Sequence, residues 1–207
     1  MSVVVAFIVA GAIALLDGNA LRSSPPRGWT VMAKQEPVKV FLAHEDGRDG
    51  VCLDANVASF SINRPVDVSL QQNPILTWTW RVDALPPDGD FRQGRTDDQA
   101  AQMFVIFERS GLRRRAINYI WDTHASVGEA GTDSVPLVIS IKTLVVKSGA
   151  SEIGRWVRMS RDVSRDYADL FGPGTVPRVE AVRFQVNSQH TKSHAVGCLA
   201  EAEFGPQ

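Results

Sequence analysis

The sequence has few cysteines and no excess of either charge. It contains 2 cysteines in 207 residues, and its 22 basic residues nearly balance its 23 acidic residues. A nucleic-acid-binding protein normally carries a clear basic excess, so this balance argues against that class. A disordered chain is also excluded, because 44% of the residues are hydrophobic and the net charge is small. The length suits one domain that buries a sizeable core.

Motifs that would identify several enzyme classes are missing. The sequence has neither a phosphate-binding loop nor a dinucleotide-binding glycine fingerprint. It also lacks the G-x-S-x-G element of serine hydrolases. His190 and His194 are four residues apart, but the segment between them is too polar for a metal-binding helix and has no accompanying glutamate. These absences leave the catalytic residues unassigned and the metal content unknown.

The N-terminus carries an apolar run that is too short for a membrane span. Residues 3–16 are uninterrupted apolar residues, whereas a spanning helix needs about 20. The small residues Gly18 and Ala20 follow, as in a signal-peptidase site, although no Lys or Arg precedes the run. We therefore expect residues 1–20 to be a signal peptide and the protein to be exported, to the periplasm or the extracellular space. A retained membrane tether and a buried N-terminal element are the alternatives.

The two cysteines can form one disulfide in an oxidising compartment. The alternation of apolar residues places Cys198 on the inward face with Ala200, Ala202 and Phe204. The same reasoning places Cys52 on the outward face of its own strand. A bridge needs side chains that converge. We therefore expect neighbouring strands whose thiols are not bonded.

The rest of the chain alternates between apolar and polar residues with a period of two. Leu76, Trp78, Trp80 and Val82 share one face, which predicts a half-buried strand whose tryptophans lie on the core side. Residues 103–107 are apolar on both faces, as in a central strand. Further strands are predicted over residues 38–43, 50–55, 117–121, 137–146, 156–159, 179–186 and 198–204.

One helix is predicted after residue 162. Val163, Tyr167, Leu170 and Phe171 have the spacing of a single helical face, and Asp162 can cap the first turn. About nine or ten strands with a single helix favour an all-β fold. We expect a two-sheet, jelly-roll-like β-sandwich with one short helix, forming a single domain over residues 28–207.

Several segments, in this order, resemble those of a known family. They are Leu76–Pro87 (LTWTWRVDALPP), the acidic pair Asp97-Asp98, Met103–Phe107, Arg115–Trp121, Val145–Gly149, Trp156, Asp166-Tyr167 and Asn187–Thr191. The chain resembles the domain of unknown function 3047 family of exported bacterial proteins over residues 28–204. The resemblance implies a β-sandwich of the kind found in sugar-binding modules, and it implies no activity.

Polar and aromatic residues near the strand ends are the candidate ligand-binding residues. The set consists of Asp97, Asp98, Arg81, Asn118, Trp121, Asn187, Gln189 and His190. The carboxylates of the acidic pair suit Ca²⁺, so a structural calcium ion is the one cofactor considered. The alternative for these two aspartates is a turn cap paired with an arginine.

Three functions are compatible with these features. The leading expectation is a non-enzymatic module that binds a polar ligand, such as a carbohydrate or an envelope glycoconjugate, with no nucleic-acid partner and no stable transmembrane span. The second is a glycan-acting enzyme with two carboxylates about 5 to 10 Å apart, drawn from Asp97, Asp98, Glu108 and Asp122. The third is an envelope structural or interaction protein. A cleft that contains a carboxylate pair with a raised pKa would favour the enzyme, and the ligand and oligomeric state are left open.

Overall fold

The computed structural model describes residues 11–109, 113–135 and 138–207. The first half of the predicted signal peptide, residues 1–10, and the first residue of the strand predicted over 137–146 lie outside the described residues.

Thirteen strands and one α-helix make up the described chain. In chain order they are β1 (Ile13–Leu16), β2 (Thr30–Gln35), β3 (Val40–Glu45), β4 (Arg48–Asn56), β5 (Ser59–Val68), β6 (Ile75–Ala84), β7 (Ala101–Phe107), β8 (Arg114–Asp122), β9 (Ala130–Val135), β10 (Ile139–Ser148), β11 (Val157–Asp162), α1 (Val163–Phe171), β12 (Val179–Asn187) and β13 (His194–Gly205).

The strands form two sheets packed face to face. The six-stranded sheet has the order β11-β6-β13-β4-β3, with β1 also paired to β13. The seven-stranded sheet has the order β2-β5-β12-β7-β8-β10-β9. Neighbouring strands are antiparallel except for β8 and β10, which run parallel. The predicted all-β, jelly-roll-like sandwich with one short helix is confirmed.

Aromatic residues from both sheets meet in the core. Trp78 and Trp80 are fully buried, so their predicted position on the core side is confirmed. Trp78 stacks on Tyr119 of the opposite sheet with ring centroids 5.5 Å apart, and Trp80 lies 6.1 Å from Trp121. Aromatic pairs at these distances stabilise a core beyond the area that they bury.

The helix begins and ends where the sequence predicts. The Asp162 side chain accepts a hydrogen bond from the backbone N–H of Arg165 at 3.0 Å, which caps the first turn. Gly172 follows the last helical residue with φ 88°, a conformation that favours glycine. Tyr167 is buried and its ring lies 4.7 Å from that of Phe107. The helix therefore covers one end of the seven-stranded sheet.

The prediction that the two thiols are not bonded is wrong. Cys52 and Cys198 face each other directly on β4 and β13 and form a disulfide, with their Cα atoms 4.0 Å apart. The error has a local cause, because Ala200 is an extra residue on β13: Leu199 pairs with Trp80 and Glu201 with Thr79. Such a bulge reverses the face of every residue before it. Cys198 therefore points away from the main core, to the same side as Cys52.

Four strands, β1, β2, β5 and β9, were not predicted from the alternation of residues, and two of them show why. β5 contains Asn63-Arg64-Pro65, and proline within a run usually argues against a strand interior. β9 has the sequence AGTDSV, which lacks an apolar alternation. It pairs with β10 at the edge of the seven-stranded sheet. Position in the sheet, rather than local preference, determines both strands.

The segment before residue 20 also contacts the fold. β1 pairs with β13, and Leu15 and Leu16 are buried. The Trp29 indole N–H donates a hydrogen bond to the backbone carbonyl of Leu15 at 3.0 Å. These contacts connect β1 to residues that follow the predicted cleavage position. Removal of residues 1–20 on export stays a prediction, which N-terminal sequencing of the exported protein tests, with Leu21 expected first.

We expect a chain that begins at Leu21 to be less stable than one that begins at Gly11. The shorter chain loses the burial of two leucines, worth about 1.5–3 kcal/mol each, and leaves the Trp29 indole without its acceptor. The midpoint of urea unfolding, compared between the two chains, measures the difference. Equal midpoints would show that β1 does not stabilise the domain.

Candidate functional site

A polar groove lies on the outer face of the seven-stranded sheet. Its volume is about 540 Å³, within the range typical of ligand sites. Its floor is formed by β12, β7, β8 and β10, one wall by β9, and its rim by the loops that carry Phe91, Asp97 and His190. This lining combines carboxylates, amides and cations from distant parts of the sequence.

A wider hollow of about 710 Å³ lies beside β3 and β4, but its ionisable groups are already paired. There, Asp54 accepts hydrogen bonds from Lys39 at 2.6 Å and from His194 at 2.7 Å. These bonds lower the pKa of the Asp54 carboxyl despite its partial burial. The polar groove on the opposite sheet is therefore the better candidate site.

One cross-strand row supplies most of the groove floor. Arg183 pairs with Phe104, Phe104 with Asn118, Asn118 with Thr143, and Thr143 with Gly131. Residues that face one another in this way lie on the same side of a sheet. Glycine at position 131 leaves room for the Phe91 ring, since a Cβ there would lie 2.6 Å from that ring.

A chain of amide hydrogen bonds crosses the floor and has a fixed direction. The Asn187 Oδ1 accepts from the backbone N–H of Gln99 at 2.8 Å, and its Nδ2 donates to the Asp97 carbonyl at 2.8 Å. Gln102 Nε2 donates to the same Asn187 oxygen at 2.6 Å, and Asn118 Nδ2 donates to Gln102 Oε1 at 3.0 Å. Because two backbone groups orient Asn187, each following amide is oriented in turn.

The chain of amides ends on an unpaired acceptor. Asn118 is 5% exposed, and its Oδ1 has no hydrogen-bond partner among the described residues. A buried oxygen without a donor is costly, so such atoms usually mark a place for water or a ligand. Asn118 therefore lies in the groove floor with an acceptor still to be satisfied.

Three carboxylates line the groove, those of Asp97, Glu129 and Asp133, and Glu129 is paired with Arg92. Asp97 Oδ1 accepts from Gln99 Nε2 at 2.9 Å, and Asp97 is half-buried at the rim. Burial, and then the negative charge of Asp133, raise the pKa of the Asp97 carboxyl. Asp133 is exposed on β9 and lines the same groove. Besides the paired Glu129, the site therefore holds Asp97 and Asp133, and Asp97 is biased toward its protonated form.

Asp98 lies beneath the groove and holds a loop. It is fully buried, and its Oδ2 accepts from the backbone N–H of Thr191 at 2.6 Å and from the Thr191 hydroxyl at 2.7 Å. His190, in the same loop, has its Nδ1 2.9 Å from the Asp97 carbonyl. Gln189 lies beside it, with its Nε2 3.5 Å from His190 Nε2. Asp98 thus positions His190 at the rim.

The groove brings together half of the predicted ligand-binding residues. Asp97, Asn118, Asn187 and His190 line it. Trp121 is a correction: its side chain is fully buried in the core, where its indole N–H donates to the Gly149 carbonyl at 2.9 Å.

Arg81 is likewise not part of this groove. It lies on β6 of the other sheet, where its Nε donates to Asp83 Oδ1 at 2.5 Å. Its guanidinium is only 14% exposed and is also 3.4 Å from an Asp46 carboxylate oxygen. These acidic partners occupy its donors, so Arg81 serves the structure of the six-stranded sheet.

The other carboxylates considered for catalysis have different positions. Asp122 is fully buried and accepts from the backbone N–H groups of Phe91, His124 and Ala125, which makes it a turn-stabilising residue. Glu108 is exposed just after β7 and does not line the groove. Asp133 was missed because β9 carries no strand signal in the sequence.

The described residues were searched for metal-binding clusters and for membrane-spanning helices. Within them, no group of three or more His, Cys, Asp or Glu side chains is placed to hold a metal ion. Asp90 is instead paired with Arg92 through hydrogen bonds of 2.8 Å, which lower the pKa of its carboxyl to about 2. In the same part of the chain, no helix is long and apolar enough to cross a membrane.

The fold is similar to those of several solved proteins. The family 12 xyloglucanase from Bacillus licheniformis, solved in complex with ligand, superposes with a TM-score of 0.50 and 11% identity, covering 96% of this chain and all (100%) of that one. The xyloglucanase domain of NopAA, a type three effector from Sinorhizobium fredii, in complex with cellobiose, gives 0.46 and 10% over 87% of this chain and 94% of that one. Endoglucanase cel12A from Rhodothermus marinus gives 0.46 and 9%, with 87% and 92% covered.

The sequence itself places the chain in a family. It belongs to the family described as Protein of unknown function (DUF3047), which matches residues 27–203, so the predicted family membership is confirmed. No curated protein matches the sequence.

The leading functional expectation, a non-enzymatic binding module, is wrong. The structural neighbour with a TM-score of 0.50, a family 12 xyloglucanase, shares the β-sandwich over 96% of this chain. The groove also contains Asp97, whose carboxyl pKa is raised, together with Asp133.

Proposed function

We propose that the protein is a glycan-acting hydrolase whose active site is the groove on the outer face of the seven-stranded sheet. The observation that carries this proposal is the position of Asp97 and Asp133 in one groove of ligand size. The structural neighbour from Bacillus licheniformis, a family 12 xyloglucanase, supports a glycan substrate. The amide-rich floor supplies the hydrogen-bonding groups that a polyhydroxylated ligand needs.

Asp97 and Asp133 have different roles in the proposed reaction. Glycoside hydrolysis needs one carboxylic acid to protonate the leaving oxygen and a second carboxylate to serve as base or nucleophile. Asp97 is the acid, because burial and the charge of Asp133 favour its protonated form. Asp133 is the second carboxylate. The bond between the anomeric carbon and the leaving oxygen breaks, and the Asp97 proton goes to that oxygen. Water supplies the hydroxyl of the new reducing end, and its other proton goes to the carboxylate that acts as base.

The environment of the site agrees with an exported protein. A disulfide between Cys52 and Cys198 joins β4 and β13, and disulfides persist mainly outside the cytoplasm. We include export, to the periplasm or beyond the cell, in the proposal, with a carbohydrate of the envelope or surroundings as the partner.

The test is the release of reducing ends from a panel of soluble polysaccharides, neutral and acidic. We expect the wild-type protein to cleave at least one, and Asp133→Asn to reduce that rate by at least about 100-fold, since the second carboxylate is lost. Asp169→Asn is the matched control, because Asp169 is 69% exposed on α1 and lies outside the groove. A panel that yields no product, or an Asp133→Asn protein that is as active as the control, would contradict the proposal.

A further inference from the structure

Arg183 lies in the groove floor without an acidic partner. Its Nε donates to Asn63 Oδ1 at 2.6 Å, and its guanidinium carbon lies 5.6 Å from the centre of the Phe104 ring. No carboxylate within salt-bridge distance of Arg183 occurs in residues 11–109, 113–135 or 138–207, and the remaining residues include no Asp or Glu. Within these described residues, the cation is therefore not neutralised by a carboxylate.

Partly buried arginines of this protein differ in their partners. Arg81 and Arg161 are paired with Asp83 and Asp166. Arg64 and Arg115 instead donate to the Arg27 carbonyl and the Tyr167 hydroxyl. Arg183 is also partly buried, and burial lowers the pKa of its guanidinium. Of its five N–H donors, the described structure occupies one with a hydrogen bond. A partly buried guanidinium without a carboxylate partner favours binding of an anion. Such an anion accepts hydrogen bonds from the remaining N–H groups.

The position of Arg183 separates this cation from the catalytic acid. Arg183 is four residues before Asn187 on β12, which is about 13 Å along a strand. Asn187 is the residue whose side chain donates to the Asp97 carbonyl. Lys34 of β2 and Arg92 also line the groove, and Arg92 is paired with Asp90 and Glu129. An anionic group held at Arg183 therefore lies away from the Asp97 carboxyl.

The neighbours of Arg183 suit a sugar ring that carries such a group. Phe104 is directly opposite Arg183 on β7, and Asn118 is opposite Phe104 on β8. The unpaired Asn118 Oδ1 is one strand further along this row. A cation, an aromatic ring and a hydrogen-bond acceptor thus follow one another across the floor.

We propose that the groove selects glycans that carry an anionic group, a uronate carboxylate or a sulfate ester, and that Arg183 binds this group. The inference rests on the proposed function, because it names the substrate class of the same groove. Arg183 acts as a specificity-determining residue that touches the ligand away from the bond that is cleaved.

The test measures binding of three oligosaccharides of matched length by titration calorimetry: one uronate-containing, one sulfated and one neutral. We expect one of the two anionic ligands to bind about 10- to 100-fold more tightly than the neutral one, and this preference to weaken as salt is raised. Arg183→Gln should remove the preference, and Arg183→Lys should retain part of it. Arg158→Gln is the matched control, because Arg158 is 65% exposed on the other sheet. The melting temperature of each variant shows that it is folded.

The outcomes separate this inference from the proposed function. An anionic glycan that binds through Arg183 but is not cleaved supports the inference and contradicts the hydrolase. Cleavage of a neutral glycan with equal affinity for all three ligands supports the hydrolase and contradicts the inference. An anionic preference that survives in Arg183→Gln, or failure of both anionic ligands to bind, also contradicts the inference.

Discussion

The Asp97→Asn protein is expected to lose glycan-cleaving activity by about 10²- to 10⁴-fold while remaining folded. An amide cannot give a proton to the leaving oxygen, but it keeps an oxygen in the position that accepts from Gln99 Nε2 at 2.9 Å. The initial rate of reducing-end release, measured on the polysaccharide that the wild-type protein cleaves best, gives the effect. The change therefore removes the proton and preserves the local geometry.

The same variant should not lose stability. The direction of the expected change in stability follows from the raised pKa of the Asp97 carboxyl. Between the ordinary pKa of 3.8 and the higher value in the fold, the folded protein binds more protons at Asp97 than the unfolded chain does. The stability contribution of Asp97 therefore falls as the pH rises through this window. At pH 7 the Asp97→Asn protein should melt at the same temperature as the wild-type protein or at a higher one, and this gain should vanish below pH 3.8.

Asp88→Asn is the matched control for this experiment. Asp88 is exposed in the turn after β6, in the same connection to β7 as Asp97, and it does not line the groove. We expect this variant to keep its activity within about twofold, because no catalytic or floor residue changes. An Asp97→Asn protein with wild-type activity would remove Asp97 from the mechanism, and one that melts well below the wild-type protein would mean that Asp97 serves the structure.

The core strands could be predicted because burial leaves a period of two in the sequence. Leu76, Trp78, Trp80 and Val82 are all fully buried, and their polar neighbours face the other side of β6. The helix could also be predicted from the sequence, because a cap at Asp162 and a glycine after Phe171 mark its ends. Patterns of this kind record which face meets the core.

The disulfide could not be predicted in this way. The alternation of Cys198, Ala200, Ala202 and Phe204 reads as one face, but the extra residue at Ala200 divides it. Leu199, Ala202 and Phe204 belong to the main core, whereas Cys198 packs with Cys52 on the outside of the sheet. A bulge depends on the partner strand, so the sequence of β13 alone cannot show it.

The candidate site was predictable only in part, for a similar reason. Asp97, Asn118, Asn187 and His190 are polar residues beside apolar strands, and they were selected on that basis. Asp133 and Arg183 carry no such signal, because the first lies in a strand without apolar alternation and the second is one arginine among many. Sheet order brings β12 and β9 to the same groove, and a single sequence does not reveal that order.

Replacing Asp166 by Ala is expected to lower the free energy of unfolding by about 3–5 kcal/mol. Asp166 lies on α1 with its side chain 8% exposed, and it is paired with Arg161. The Arg161 Nε donates to its Oδ2 at 2.9 Å, and the Tyr119 hydroxyl donates to the same oxygen at 2.7 Å. Alanine leaves a partly buried cation and a buried hydroxyl without an acceptor.

The pKa of the Tyr119 hydroxyl reflects the burial of this cluster. Burial, and then the charge of Asp166, raise that pKa well above its usual value of 10.0. The phenol therefore stays protonated. It donates its hydrogen bond to Asp166, and it loses that partner when Asp166 is replaced by alanine. Asp166→Asn keeps an acceptor oxygen for the phenol but removes the charge facing Arg161, so its loss of stability should be smaller than that of Asp166→Ala.

Asp169→Ala is the control that distinguishes loss of this cluster from a general effect of a substitution on the helix. Asp169 is on the same helix with its side chain 69% exposed, and its contact with Arg165 spans 4.0 Å. An exposed pair of this kind contributes about 0–1 kcal/mol, so urea unfolding should show little change in this control. Equal losses for Asp166→Ala and Asp169→Ala would mean that the Arg161–Asp166–Tyr119 cluster is dispensable. A large loss confined to Asp166→Ala means that it holds α1 and β11 against the seven-stranded sheet, which is the sheet whose opposite face carries the groove.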